Sequence, residues 1–92
     1  MVTFFMFGTY SRDAMKSIAA KRTAKAEELI NGFGGKLRSV YVLLGQYDLI
    51  ILADFPTIHE ALHASVELTK QTGIAFSTSA ALTVADFDMM FE

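Results

Sequence analysis

Apolar and polar residues change their spacing along the chain in a way that marks out successive regular elements. Residues 2–9 are β-branched and aromatic and predict a first strand. Between residues 13 and 33, apolar side chains recur at three- and four-residue steps, which predicts an amphipathic helix. Its first turn and a half is polar enough to be a loop instead. The glycine-rich segment 31–35 should end the helix, because glycine adopts the left-handed conformation of a C-cap.

Two further apolar runs, residues 37–44 and 47–55, flank Gly45 and Gln46 and predict a β-hairpin. Glycine at the first central position of a two-residue turn favours type II′ geometry. Such a turn would pair Leu44 with Tyr47 across the two strands.

Pro56 should stop the third strand, and Thr57 can cap a helix over residues 57–72. The apolar spacing predicts that this helix buries Ile58, Ala61, Leu62, Ser65, Leu68 and Thr69. Gly73 would end the helix. Alternating residues 74–84 predict a last strand, and an apolar tail follows over residues 86–92.

The resulting order, βαββαβ, predicts one α+β domain over residues 1–92 with a ferredoxin-like fold. Two helices should cover one face of a four-stranded antiparallel sheet, with the first and third strands in its centre. Strand alternation then assigns two sets of side chains to opposite faces. The helix side would receive Val40, Val42, Leu44, Tyr47, Leu49, Ile51, Ala53, Ile74, Phe76, Ala80 and Leu82.

The opposite face should be apolar in its middle, where Phe5, Phe7, Ile50 and Leu52 meet. An antiparallel sheet that faces water normally carries polar residues on that side. A second sheet packed about 10 Å away would explain the pattern. The sequence therefore predicts a homodimer or higher oligomer, formed through the sheet as in dimeric α/β barrels.

The composition supports self-association. Hydrophobic residues make up 52% of the 92 residues and include eight Phe, more than so short a chain readily buries.

The chain has no Cys, which excludes disulfides and thiolate chemistry and is typical of a reducing compartment. No apolar run reaches the about 20 residues of a membrane span, and the N-terminal run lacks a basic leader. We expect a soluble, cytoplasmic protein without a membrane partner.

Charge is unevenly distributed: residues 1–38 carry a net +4 and residues 39–92 a net −6. A basic first half could bind an anion, although a basic helix beside an acidic one explains the asymmetry more simply. Arg22 falls on the apolar side of the first helix. It is the candidate to clamp a carboxylate or phosphate, unless it extends to solvent or pairs with an acidic neighbour.

The segment Gly45-Gln46-Tyr47-Asp48, followed by the apolar third strand and Pro56, resembles the signature of the GYD-domain family. The resemblance continues in the segment 34–37 and in the spacing of Lys16 and Arg22, and it covers nearly the whole chain. It implies a small bacterial or archaeal protein of the dimeric α/β-barrel type with an undefined biochemical role. The family's Pro-Asp helix start reads Pro56-Thr57 here, which preserves a capping side chain.

The segment His59-Glu60-Ala61-Leu62-His63 fits the H-E-x-x-H pattern of zinc proteases, whose two histidines share one helix face. Both histidines lie beside the predicted buried stripe, toward solvent. A third ligand and a substrate cleft are also missing from the pattern. We therefore predict no metal site and no cofactor.

The candidate ligand pocket lies on the uncovered sheet face and comprises Phe5, Phe7, Tyr41, Asp48, Ile50 and Ser77. Asp48 could orient a ligand or act as a base, or it could cap turn amides while Tyr47 fills the end of the core. Strand three has no basic residue, so nucleic-acid binding on this face is not expected.

Two functions fit these features. One is a non-enzymatic homo-oligomeric module, a sensor or accessory protein, that binds a small apolar or amphipathic molecule between its sheets. The other is a cofactor-independent enzyme, similar to a monooxygenase or isomerase, acting on a small aromatic or hydrophobic substrate in the same cavity. An enzyme would need an acid or base there, and only Asp48 and Tyr41 qualify.

Overall fold

A computed structural model describes residues 1–92 as an α+β domain with four strands and four helices. The predicted order of four strands and two main helices is present, with a short helix before α2 and another after β4. The elements are β1 (Val2–Tyr10), α1 (Arg12–Lys16), α2 (Ala20–Gly32), β2 (Lys36–Val42), β3 (Leu49–Phe55), α3 (Ile58–Thr72), β4 (Ile74–Ala81) and α4 (Val84–Met89).

The four strands form one antiparallel sheet in the order β2-β3-β1-β4. This confirms the ferredoxin-like fold, with the first and third strands in the centre. The core lies between α2, α3 and one face of the sheet. Its largest fully buried side chains are Met6, Ile30, Phe55 and Leu68.

The hairpin between β2 and β3 has the predicted register from Ser39 to Val42, but a bulge between Leu37 and Ser39 shifts the register by one residue beyond that, and the turn is not the predicted one. Val42 pairs with Leu49, and Leu43 N–H donates to the Asp48 carbonyl, yet the segment from residue 43 to residue 48 is not a strand. Positive φ occurs only at Gly34 and Gly73, so the type II′ assignment at Gly45 was wrong.

The reason lies in Asp48. Its N–H donates to the Gly8 carbonyl and its carboxylate accepts from Tyr10 N–H, so the chain bends toward β1 instead of continuing as a ladder. Leu44, predicted to face the helices, is fully exposed. Val42 lies opposite the buried Leu49 on the edge strand β2, on its predicted side of the sheet, but is 78% exposed.

The predicted helix over residues 13–33 is divided in two. Ser11 caps α1, which ends at Lys16, and α2 begins only at Ala20. Met15 and Ile18, two of the apolar residues whose spacing predicted one continuous helix, are more than half exposed. The glycine-rich end is as predicted, with Gly34 left-handed at φ 76° and Gly35 N–H donating to the Ile30 carbonyl.

Helix α3 begins and ends as predicted but is rotated about its axis. Thr57 Oγ1 accepts from His59 N–H, Glu60 accepts from Thr57 N–H, and Gly73 follows at φ 74°. Its buried residues, however, are Ala61, Ala64, Ser65 and Leu68.

Ile58, Leu62 and Thr69 were wrongly assigned to the buried face of α3; they are exposed. Small residues lie against the sheet instead, and Ser65 Oγ is 2.7 Å from Thr78 Oγ1. This side-chain hydrogen bond, from helix to strand, fixes the rotation.

Candidate functional site

The sheet face opposite α2 and α3, called the open face below, carries most of the predicted pocket residues. One row across β2, β3, β1 and β4 consists of Tyr41, Ile50, Phe7 and Ser77. The next row consists of Ser39, Leu52, Phe5 and Ser79. Hence the structure brings Phe5, Phe7, Tyr41, Ile50 and Ser77 onto one surface, as the alternation predicted.

An aromatic line runs along the middle of the open face. The ring centroids of Phe5 and Phe7 are 6.5 Å apart, and those of Phe7 and Tyr47 are 5.0 Å apart. Tyr47 was predicted to fill the helix-side core, and this assignment was wrong, because the residues before β3 do not continue the strand alternation. The aromatic line extends the apolar middle of the open face toward the hairpin.

A paired carboxylate lies beside this surface at the far end of β3. Asp54 accepts from Thr3 Oγ1 at 2.6 Å and from Arg38 Nη1 at 2.9 Å. These two hydrogen bonds, Thr3 first and Arg38 second, hold the pKa of Asp54 below its ordinary value of 3.8. Asp54 therefore stays ionised at neutral pH, and its carboxylate already accepts hydrogen bonds from Thr3 and Arg38.

Asp48 has a structural position at the other end of the sheet. Its Oδ2 accepts from Tyr10 N–H at 2.9 Å, and its own N–H and carbonyl bond to β1 and to Leu43. One residue thus holds the end of β1, the start of β3 and the hairpin together. The capping interpretation of Asp48 fits these contacts, although the amide it caps belongs to β1 and not to the turn.

Replacement of Asp48 tests its capping role. Asp48→Ala leaves Tyr10 N–H without a partner and should lower the free energy of unfolding by about 1–3 kcal/mol. Asp48→Asn keeps an acceptor oxygen and should cost less than about 1 kcal/mol. Urea unfolding of both variants beside the unmodified protein measures the difference. An alanine variant as stable as the unmodified protein would contradict this role.

Arg22 lies on the helix side of the sheet, away from the open face. Its Nη1 donates to the Ala14 carbonyl at 2.5 Å, and its guanidinium carbon is 5.3 Å from the centroid of the Tyr10 ring. The side chain therefore neither extends freely to solvent nor pairs with an acid, the two alternatives to anion binding.

His59 and His63 are both exposed on α3, and the His63 ring packs 4.5 Å from the Phe33 ring, centroid to centroid. The structure contains no group of three or more His, Cys, Asp or Glu placed to hold a metal ion. The helix that carries both histidines begins with a capping box, in which Glu60 serves as the partner of Thr57.

Comparison with known sequences identifies the family. The profile of the GYD domain matches residues 4–91. The chain belongs to the GYD domain family. Among curated proteins, none matches this GYD domain significantly.

No helix in this GYD domain is both long enough and apolar enough to span a membrane.

Solved structures share the fold of this GYD domain. FFRP-DM1 is 24% identical with a TM-score of 0.62, and the match covers 89% of this chain and all of that one. A hypothetical protein from Pyrococcus horikoshii is 25% identical with a TM-score of 0.56, over 90% of this chain and 92% of its own. The leucine response regulatory protein LrpA of Mycobacterium tuberculosis is 10% identical, with a TM-score of 0.59 over 89% of this chain. The GYD domain matches 51% of LrpA, about half of its length.

Proposed function

We propose that this GYD domain is a homo-oligomeric module of regulatory or accessory type. Two copies pair open face to open face, and a small apolar or amphipathic molecule binds between the two sheets.

The observation that carries the proposal is the composition of the open face. Its middle presents Phe5, Phe7, Ile50 and Leu52, which are only half-buried in the single chain, beside the exposed Tyr41. An uncovered sheet of this kind exposes a continuous apolar patch, which in proteins marks a surface of interaction. A second copy offers the same patch, and a two-fold pairing buries the two patches against each other, with residue i of one copy contacting residue j of the other and j contacting i.

Polar groups surround this apolar middle and suit the edge of an interface. Ser77 and Ser79 lie along β4, and Ser39 lies on β2 at the opposite border. Interfaces commonly have an apolar centre and a polar rim. A ligand held between the sheets would therefore meet aromatic rings in the centre and hydroxyl groups at the border.

The regulatory character rests on one of the structural relatives. The name of LrpA states that it is a leucine response regulatory protein, and the GYD domain shares its fold over about half of its length. Leucine is itself a small amphipathic molecule. Binding is favoured over catalysis because of the positions of the two acid or base candidates: the Asp48 carboxylate accepts a hydrogen bond from Tyr10 N–H, and Tyr41 is 58% exposed on the edge strand β2.

Native mass spectrometry on protein purified without a histidine tag or chelator tests this proposal. We expect an even multiple of the single-chain mass, with additional mass from a bound organic molecule that disappears on denaturation. A refolded sample, prepared without extract, is the control and should return the same oligomer without the additional mass.

Pairing through the open face and binding of a molecule between the sheets can be contradicted separately. A single-chain mass under native conditions would contradict pairing through the open face. An even multiple without additional mass, unchanged after incubation with cell extract, would contradict a pocket between the sheets.

A further inference from the structure

A cavity open to solvent lies on the helix side of the sheet, between the start of α2 and the end of α3. Its volume is about 550 Å³, and it belongs to a part of the molecule that the open face does not include. Its walls are Ser17, Ala19, Lys21, Arg22, Lys25, Ala26, Leu68, Gln71 and Thr72.

The charge of this cavity is entirely positive. Lys21, Arg22 and Lys25 line it, and no acidic side chain does. The ion pairs of the structure are Arg38–Asp54 and Lys70–Glu67, so the three cations have no carboxylate partner. Three uncompensated cations around one concave space attract an anion and disfavour a ligand that carries its own positive charge.

The guanidinium of Arg22 is already fixed in position beside this cavity by contacts within the chain. Its bond to the Ala14 carbonyl and its position over the Tyr10 ring fix the guanidinium at the junction of α1 and α2. The carbonyl engages one of the five N–H donors of an arginine, which leaves donors for a carboxylate. A side chain that is already fixed loses less conformational entropy on binding.

An apolar cleft continues inward from the charged cavity. Arg22, Ala26, Leu68 and Thr72 line both spaces, which makes them neighbours. The inner cleft measures about 50 Å³, enough for about three or four water-sized groups. Its other walls include Leu49, Ile51, Ile74 and Phe76.

We propose that this helix-side cavity binds a small organic carboxylate that has a short apolar tail and no ammonium group. The carboxylate lies among Lys21, Arg22 and Lys25, and the tail enters the cleft between the helices and the sheet. The site is independent of pairing through the open face, and a monomer would retain it.

Titration of ¹⁵N-labelled protein with 3-methylbutanoate, followed by NMR, tests the site. We expect saturable shifts of the amides around Arg22, Ala26 and Thr72, while those of Phe5 and Phe7 stay unchanged. Valine is the same carboxylate with an added α-ammonium group and should bind at least about tenfold more weakly, because the three cations repel it. Added salt should weaken 3-methylbutanoate binding, since two of the cations are exposed.

Charge-matched variants locate the binding site. Lys21→Gln with Lys25→Gln should weaken the 3-methylbutanoate complex by about three- to tenfold, as expected for two exposed cations. Lys36→Gln with Lys70→Gln removes the same charge outside the cavity. This control should change the affinity for 3-methylbutanoate by less than about twofold. Arg22→Gln should weaken it by at least about tenfold through the lost charged hydrogen bonds, with Arg12→Gln as its control.

Each of several results would overturn the site. Shifts that never saturate, or that are confined to the open face, would contradict binding in this cavity. Equal affinity for valine, or equal losses in the two lysine double variants, would contradict recognition by these cations. If Arg22→Gln unfolds the chain, the double lysine variant still decides the question.

Discussion

A lysine at position 50 should convert the assembled protein into a folded monomer. Ile50 lies in the central row of the open face, opposite Phe7 on β1 and Tyr41 on β2. In a monomer the ammonium group would reach water without difficulty. In a sheet-to-sheet pair it would be buried without a partner, and two-fold symmetry would place a second charge nearby.

Because each buried unpaired charge costs several kcal/mol, Ile50→Lys should raise the dimer dissociation constant at least about 100-fold. Sedimentation velocity over a range of concentrations measures this change, and circular dichroism checks that the fold is kept. Leu62→Lys is the matched control, because Leu62 is an exposed apolar residue on α3, away from the open face. It should sediment as the unmodified protein does.

An Ile50→Lys variant that sediments with the unmodified assembly would refute pairing through this face. Should the lysine variant prove insoluble, Ser77→Lys offers the same test at an exposed position of the same row. A serine that already faces solvent can be replaced without loss of core packing. Its substitution should still weaken the pair.

Gly35→Ala should be among the most destabilising single-methyl substitutions in the chain. A Cβ atom at this position would lie 2.7 Å from two ring carbons of Phe55 and 2.9 Å from the Asp54 carbonyl oxygen. Phe55 is fully buried and packs edge-on against Phe4, so its ring has no space into which to move. We expect a loss of about 2–3 kcal/mol in the free energy of unfolding.

For a domain of this length, such a loss lowers the melting temperature by about 8–24 °C. Thermal unfolding at a fixed protein concentration measures it, since oligomers melt in a concentration-dependent way. Gly32→Ala is the control: no atom lies within 4 Å of its Cβ position, and alanine favours the helix that Gly32 ends. It should be neutral or slightly stabilising, and an equally small effect of Gly35→Ala would show that the β2–β3 core can relax.

The sheet was predictable from sequence because strands alternate strictly. Phe5 and Phe7 fall on the open face and Phe4 and Met6 in the core, and a slip of one residue in the register would expose the core pair. The order of strands followed from the succession of elements. For the same reason, five of the six predicted pocket residues could be placed on one surface, with Asp48 at its end.

The rotation of α3 was not predictable from apolar spacing alone. Two stripes compete on this helix: Ile58, Leu62 and Val66 are larger and more apolar, whereas Ala61, Ala64 and Ser65 are smaller. Small residues allow a helix to approach the sheet closely, and the hydrogen bond from Ser65 to Thr78 stabilises that arrangement. A hydrogen bond between a helix and a strand does not change the apolar spacing within the helix, so that spacing cannot predict it.

The helix-side cavity was only partly predictable. Arg22 was a candidate for anion binding because of its position among apolar residues. Its association with Lys21 and Lys25 around one space requires the break after α1 and the packing of α2 against the end of α3. Tyr47 was missed on the open face because a single residue, Asp48, redirects the hairpin through bonds to β1.

The central position of β1 has a consequence for the synthesis of the chain. Phe4 pairs with Ala53 on one side and with Ala80 on the other, so the second partner is synthesised about 76 residues after Phe4. At about 5–20 residues per second, β1 waits roughly 4–15 seconds for β4. Throughout that interval the aromatic strand β1 keeps one unpaired edge, and such an edge can pair with a strand of another chain.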